Sequence, residues 1–130
     1  MTLISDARSA YNGTSASTAS PEQLLVMLYD RLVLDIERGG RALQAKKFDQ
    51  ANEYLTHAQA IITALSTSLD AEGWVGGPEL LALYDYLNRR LIQANVRHDL
   101  RAAAEVLSHC RALRDTWKQA AAIVARDANA

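Results

Sequence analysis

One cysteine, two prolines and eight aromatic residues in a chain of 130 leave out several devices on which small folds depend. The lone Cys110 excludes an internal disulfide and suits a reducing compartment. An excess of one charge sign is also missing: 14 basic and 15 acidic residues give a formal net charge of −1. Such a balance supplies no strong pull toward nucleic acid or an anionic membrane. No stretch approaches the roughly 18 consecutive apolar residues of a membrane span, and the opening MTLISDARSAYNG lacks the basic and apolar regions of a signal peptide. These absences predict a soluble, cytoplasmic protein with neither nucleic-acid binding nor membrane insertion.

Catalytic and metal-binding patterns are equally scarce. There is no glycine-rich phosphate loop, zinc-ligand spacing or strand-turn-helix nucleophile motif. A di-metal carboxylate bundle needs Glu-x-x-His pairs projecting inward. Here Glu53/His57 and Glu105/His109 are spaced four apart instead, a spacing that more often makes an exposed hydrogen-bonded pair. A metal-binding bundle built on those pairs is the minority reading. Cys110 falls on an apolar helical stripe, where it reads as a small buried hydrophobe rather than a reactive thiol. Arg89, Arg90, Arg97 and Arg101 form the densest basic cluster, but Asp85 and Asp99 nearby favour a salt-bridged face. The expectation is a protein that is not an enzyme and carries no cofactor.

What is present is helical periodicity. Residues 1–19, rich in Ser, Thr, Ala and Gly, predict a mobile N-terminal segment with Ile4 and Tyr11 as apolar anchors. Ser20-Pro21-Glu22-Gln23 combines an N-cap, a first-turn proline and a capping box. Leu25, Leu28, Leu32, Ile36 and Leu43 follow on one face, predicting a helix to about Lys46, with Gly39 and Gly40 as a point of kinking or early termination. Phe48-Asp49 opens a second helix carrying Ala51, Leu55, Ala58, Ile62, Leu65 and Leu69. Gly73, Gly76, Gly77 and Pro78 break the pattern, and a third helix runs from Pro78 to about Val96. Asp99 caps a fourth, with Ala103, Leu107, Cys110, Leu113 and Trp117 on its stripe. Short connections make consecutive helices neighbours, so the predicted fold is all-α: an antiparallel up-and-down four-helix bundle over residues 20–130.

Apolar residues exceed what one core stripe of about 100° per helix requires. Leu24, Met27 and Leu34 widen the band on the first helix, and Leu81, Tyr86 and Ile92 do so on the third. For any single residue a wide core is the simpler reading. Together they suggest grooves that accept a partner's amphipathic helices.

Several blocks carry a resemblance to a known family. They are Thr18-Ala19-Ser20-Pro21-Glu22-Gln23-Leu24-Leu25-Val26-Met27-Leu28-Tyr29-Asp30, then Ala60-Ile61-Ile62 through Leu65 to Leu69-Asp70 with Glu72 beyond. The most specific is Leu83-Tyr84-Asp85-Tyr86-Leu87-Asn88-Arg89-Arg90-Leu91-Ile92-Gln93-Ala94-Asn95, and Trp117 and Tyr11 also fit. Over nearly its whole length the chain resembles the flagellin-specific export chaperones, the FliS family. The resemblance implies a cytoplasmic chaperone that binds the disordered C-terminal segment of flagellin, keeps it monomeric and delivers it to a flagellar export gate component. It also implies Tyr11 as a displaceable plug of the client groove. Leu24, Met27, Leu28, Leu87, Leu91 and Ile92 are the expected groove lining, with Asn88, Gln93 and Asn95 offering amides to the client backbone. A module serving another export component shares the fold, and a weak homo-oligomer is compatible with the apolar surface. Where many relatives have Gly after Leu-Tyr-Asp, this chain has Arg31, and Arg8 stands where relatives often carry an aliphatic residue.

Overall fold

The computed structural model describes residues 20–70, 73 and 75–129. They form four α-helices: α1 (Pro21–Gln44), α2 (Phe48–Ser68), α3 (Gly77–Arg97) and α4 (Leu100–Ala128). Each helix packs against its sequence neighbours, and α4 closes the ring against α1. The contacts run antiparallel. Thr63 of α2 meets Asn88 of α3 while Asn52 meets Asn95, and Glu37 of α1 meets Arg111 of α4 while Asp30 meets Arg114 and Lys118.

The helix starts follow local chemistry. At α1, Gln23 N–H donates to Ser20 Oγ at 3.2 Å and Ser20 N–H donates to Gln23 Oε1 at 3.0 Å, completing the capping box. At α4, Ala102 N–H donates to Asp99 Oδ1 at 3.1 Å. Helix α1 ends two residues before the expected Lys46, and α3 begins one residue before Pro78.

The two tight turns at one end of the bundle share a geometry. Lys47 N–H reaches back to Ala42 O at 2.8 Å, and Asp99 N–H reaches Ala94 O at 3.0 Å. Both bonds are the six-to-one closure of a Schellman motif, whose left-handed position usually belongs to glycine. Here Lys46 (φ 59°) and His98 (φ 53°) occupy it, at a cost on the order of 1 kcal/mol each.

Helix α1 contributes eleven buried residues, the most of any helix. Across the core the Tyr29 and Tyr84 hydroxyls share a hydrogen bond of 2.5 Å, joining α1 to α3. Burial raises the pKa of both phenols well above the ordinary value. The Trp117 indole N–H is buried beside them, where it acts to lower the Tyr29 pKa, but it closes no hydrogen bond of normal geometry. Cys110 fills the same region, its thiol pushed up to about 12 by burial.

The glycine pair does not interrupt α1, and its two members face different surroundings. A Cβ on Gly39 would lie 2.6 Å from Leu55 Cδ2, whereas one on Gly40 would meet nothing nearer than Leu100 Cδ1 at 3.9 Å. Gly39 is therefore where α2 approaches α1 closely, and Gly40 sits on an open groove. Gly39→Ala is expected to destabilise by roughly 1–3 kcal/mol through overpacking, while Gly40→Ala stabilises by about 1 kcal/mol through helix propensity. Chemical denaturation of both variants checks this, and shifts of the same sign would contradict it. Tyr29→Phe leaves a buried hydroxyl without its partner and is expected to cost about 1–3 kcal/mol. The double variant Tyr29→Phe/Tyr84→Phe should lose less than the sum of the two single changes, and strict additivity in a double-mutant cycle would show the bond to be energetically idle.

Candidate polypeptide-binding surface

Leu24, Leu28, Leu87 and Leu91, expected on a groove, lie inside the bundle at 1% exposure or less. The correction has a packing cause. Helix α1 has neighbours on both flanks and touches α3 across the core, so its wide apolar band is consumed internally. On α3, the stripe Tyr84, Leu87, Leu91 and Ala94 is the inward face. Met27 is partly buried against the core, and Tyr11 lies outside the described residues.

The excess apolar surface of α3 does remain outside. Leu81, Ile92 and Val96 are exposed, Ile92 at 46% and Val96 at 73%. By helical spacing Leu81 and Ile92 share the flank of α3 that carries Asn88 and Asn95, the flank facing α2, and Val96 points outward beside Ile92. Asn88 Nδ2 donates to Thr63 Oγ1 at 3.2 Å, and Asn95 Nδ2 donates to Asn52 Oδ1 at 2.8 Å. The amide oxygen of Asn88 is buried and meets no donor among the described residues. The α2 side of this seam presents Asn52, Thr56, Gln59 and Thr63, all short or polar. The result is a strip with one aliphatic wall and one polar wall.

Gln93 lies on the other flank. Its Oε1 accepts from Arg90 Nη1 at 2.9 Å and its Nε2 donates to Asp99 Oδ2 at 3.0 Å, so both ends of the amide already serve the α3–α4 seam. Tyr86 belongs to that seam too, donating to Glu105 Oε2 at 2.7 Å while Arg90 Nε donates to Glu105 Oε1 at 2.6 Å. The Tyr86 and Arg90 hydrogen bonds hold the Glu105 carboxyl below its ordinary pKa. Asp99 is lowered likewise, chiefly by the Ala102 backbone N–H and then by Gln93.

Neither spaced Glu/His pair shares a hydrogen bond among the described residues. His57 Nδ1 bonds to Asp35, not Glu53, and Glu105 bonds to Tyr86 and Arg90. Among the described residues no three potential ligands converge on a metal position. Asp35 was missed by the sequence reading: a fully buried carboxylate on α1, clasped by His57 and by Arg31 Nε at 3.1 Å. The i,i+4 spacing of Arg31 and Asp35 was the available signal. Of the arginine cluster, Arg89 pairs with Asp85 and Arg90 with Glu105, whereas Arg97 and Arg101 make no ion pair among the described residues. No helix among the described residues is long and apolar enough to cross a membrane.

The family model described as flagellar protein FliS matches residues 4–124. The chain is similar to the flagellar secretion chaperone FliS of Bacillus subtilis (strain 168), 36% identical over 117 residues, covering 90% of this chain and 87% of that protein. It is similar to the flagellar secretion chaperone FliS of Escherichia coli (strain K12), 35% identical over 108 residues, covering 82% and 79%. The Salmonella typhimurium counterpart of the same name is 36% identical over 108 residues, covering 82% and 80%.

The lowered pKa of Glu105 carries a pH dependence. The folded state holds this carboxyl more acidic than the unfolded chain does. Its stabilisation is therefore complete above the ordinary carboxylate range and is lost as pH falls through the lowered folded-state value. Glu105→Gln is expected to flatten the fall in Tm below about pH 4. Melting curves from neutral to acid pH test this, and an acid limb matching that of the unmodified chain would remove Glu105 from the account.

Proposed function

Because the chain belongs to the FliS family of flagellar secretion chaperones, we propose that it binds the disordered C-terminal region of flagellin in the cytosol. Binding there prevents premature polymerisation and supports export through the flagellar type III system, with handover to an export gate component. The observation that carries the reading is the uncovered aliphatic surface of α3, where Leu81, Ile92 and Val96 are exposed. A disordered client that folds on binding must recover its ordering entropy from apolar contact. An amphipathic helix laid along α3 covers those aliphatic side chains and brings polar groups over Thr63 and Asn52. Met27 and Asn95 extend the contact in this reading, while Leu24, Leu28, Leu87 and Leu91 shape it from beneath. Tyr11, by the family resemblance, competes for the same surface until cargo displaces it, as a tethered segment does effectively. The chain's work on this account is binding alone, with no catalytic step.

Calorimetry of the full chain with a peptide spanning the flagellin C-terminal region tests the assignment. Saturable binding in the micromolar range or tighter is expected. Ile92→Glu should weaken it by at least about tenfold, or about 1.4 kcal/mol, with stability held to within about 0.5 kcal/mol because the site is at the surface. Binding only to a different flagellar export substrate would shift the client, and no binding to either would sink the proposal.

A further inference from the structure

The end of the bundle that carries the two tight turns has a character unlike the α2–α3 strip. Arg38, Arg41, Lys46, Lys47, Arg97 and Arg101 gather there, at the C-termini of α1 and α3 and the first turns of α2 and α4. None of these six makes an ion pair among the described residues. The carboxylates nearby are Asp49, Glu53 and Asp99, plus Glu37 and Glu105, which are paired with Arg111 at 3.0 Å and with Arg90 at 2.6 Å. Asp99 is occupied by the α4 cap and Gln93. This end is thus net positive by three in a chain whose formal charge is −1. The two turns form one surface, since the Phe48 ring stacks on the His98 ring with centroids 3.7 Å apart.

Beside this surface lies an apolar groove of about 240 Å³ between α1 and α4. Ile36, Gly40, Ala103 and Leu107 line it, Leu100 stands 42% exposed at its edge, and Arg41, Gln44 and the Glu37–Arg111 pair rim it. Gly40 keeps the α1 wall bare, because a Cβ there would still be 3.9 Å from Leu100.

We propose that this end is a second docking surface, one that takes an acidic peptide segment carrying an aliphatic anchor. The anchor inserts between Gly40 and Leu100, and the acidic positions meet Arg41, Lys47, Arg97 and Arg101. Complementary charge identifies the partner's sign, and unpaired cations lose no existing bond on meeting it. The groove identifies the anchor, because a concave pocket accepts a protruding side chain, which a flat bilayer surface does not offer. This surface meets the α2–α3 strip where Arg97 follows Val96, but its groove opens between α1 and α4, and the proposal does not depend on what that strip binds.

The test uses the full chain and a fluorescein-labelled peptide, Glu-Glu-Leu-Glu-Glu-Glu-Leu-Glu-Glu, followed by anisotropy. Saturable binding is expected, weakened at least about tenfold by Arg41→Glu/Lys47→Glu and by raising salt to about 0.5 M, where charges are screened within a few ångströms. Gly40→Leu plugs the groove and should weaken binding comparably. Ala104→Leu, on the α4 wall of the same groove, is the second plug should the first variant misfold by circular dichroism. Ile92→Glu should leave binding unchanged. Absence of saturable binding, indifference to the charge reversal, or binding retained by both plugged variants overturns the proposal. So does loss of binding in Ile92→Glu, which would put the peptide on the α2–α3 strip. Displacement of the peptide by phosphatidylglycerol vesicles but not by neutral phosphatidylcholine ones would make the surface a membrane contact and overturn it too.

Discussion

Helix α1 has to satisfy neighbours on both flanks and a third across the core, and most of the remaining structure follows from that enclosure. Its apolar residues reach well beyond a single stripe because α2, α4 and the Tyr84 side of α3 all need a surface to pack on. The same enclosure traps Asp35, whose charge is held by His57 and Arg31 from either side of the α1–α2 seam. A buried carboxylate without such partners would be strongly unfavourable. It also explains Gly39, where a missing methyl group lets Leu55 lie against the α1 backbone.

Helix α3 is the counterpart. It offers only one stripe to the core, so its outer apolar residues have nothing to pack against. Its two seams are closed largely by side-chain hydrogen bonds: the Tyr86, Glu105, Arg90, Gln93 and Asp99 chain toward α4, and the Asn88 and Asn95 bonds toward α2. Directional bonds fix the register of α3 without covering its aliphatic side chains. That combination leaves a firm helix with an apolar edge, which suits the capture of another helix.

Element boundaries were legible because the signals that set them are local. The Ser20 capping box, the glycine cluster before Pro78 and the Asp99 cap each act within one turn of chain, and the helices begin within a residue of where those signals predict. The division between core and groove was not legible. Periodicity reports which residues share a face of one helix, but not how many other helices surround it, so Leu24 read as surplus when α1 needed it. Leu87 and Leu91 were misplaced for the complementary reason: the core stripe and the apolar flank of α3 adjoin, and Ile92 is separated from Leu91 by only about 100° of helix. Gln93 and Asn95 look alike in sequence and lie two residues apart, yet about 200° of rotation sends them to opposite seams. Packing decided which apolar side chains of α1 and α3 reach solvent.

The uneven placement of charge along the bundle makes the molecule an electric dipole. Away from the turn end, Glu22, Asp30, Asp35, Asp70, Glu79, Asp85, Asp115 and Asp127 outnumber Arg31, Arg89, Arg114, Lys118 and Arg126. A helix the length of α2 spans about 30 Å, several times the screening length of roughly 8 Å at physiological ionic strength. The two poles therefore act independently, and a charged body approaching from one side feels only the nearer pole. Encounter with a negatively charged surface turns the molecule so that its turn end arrives first, biasing collisions toward one orientation before any specific contact has formed.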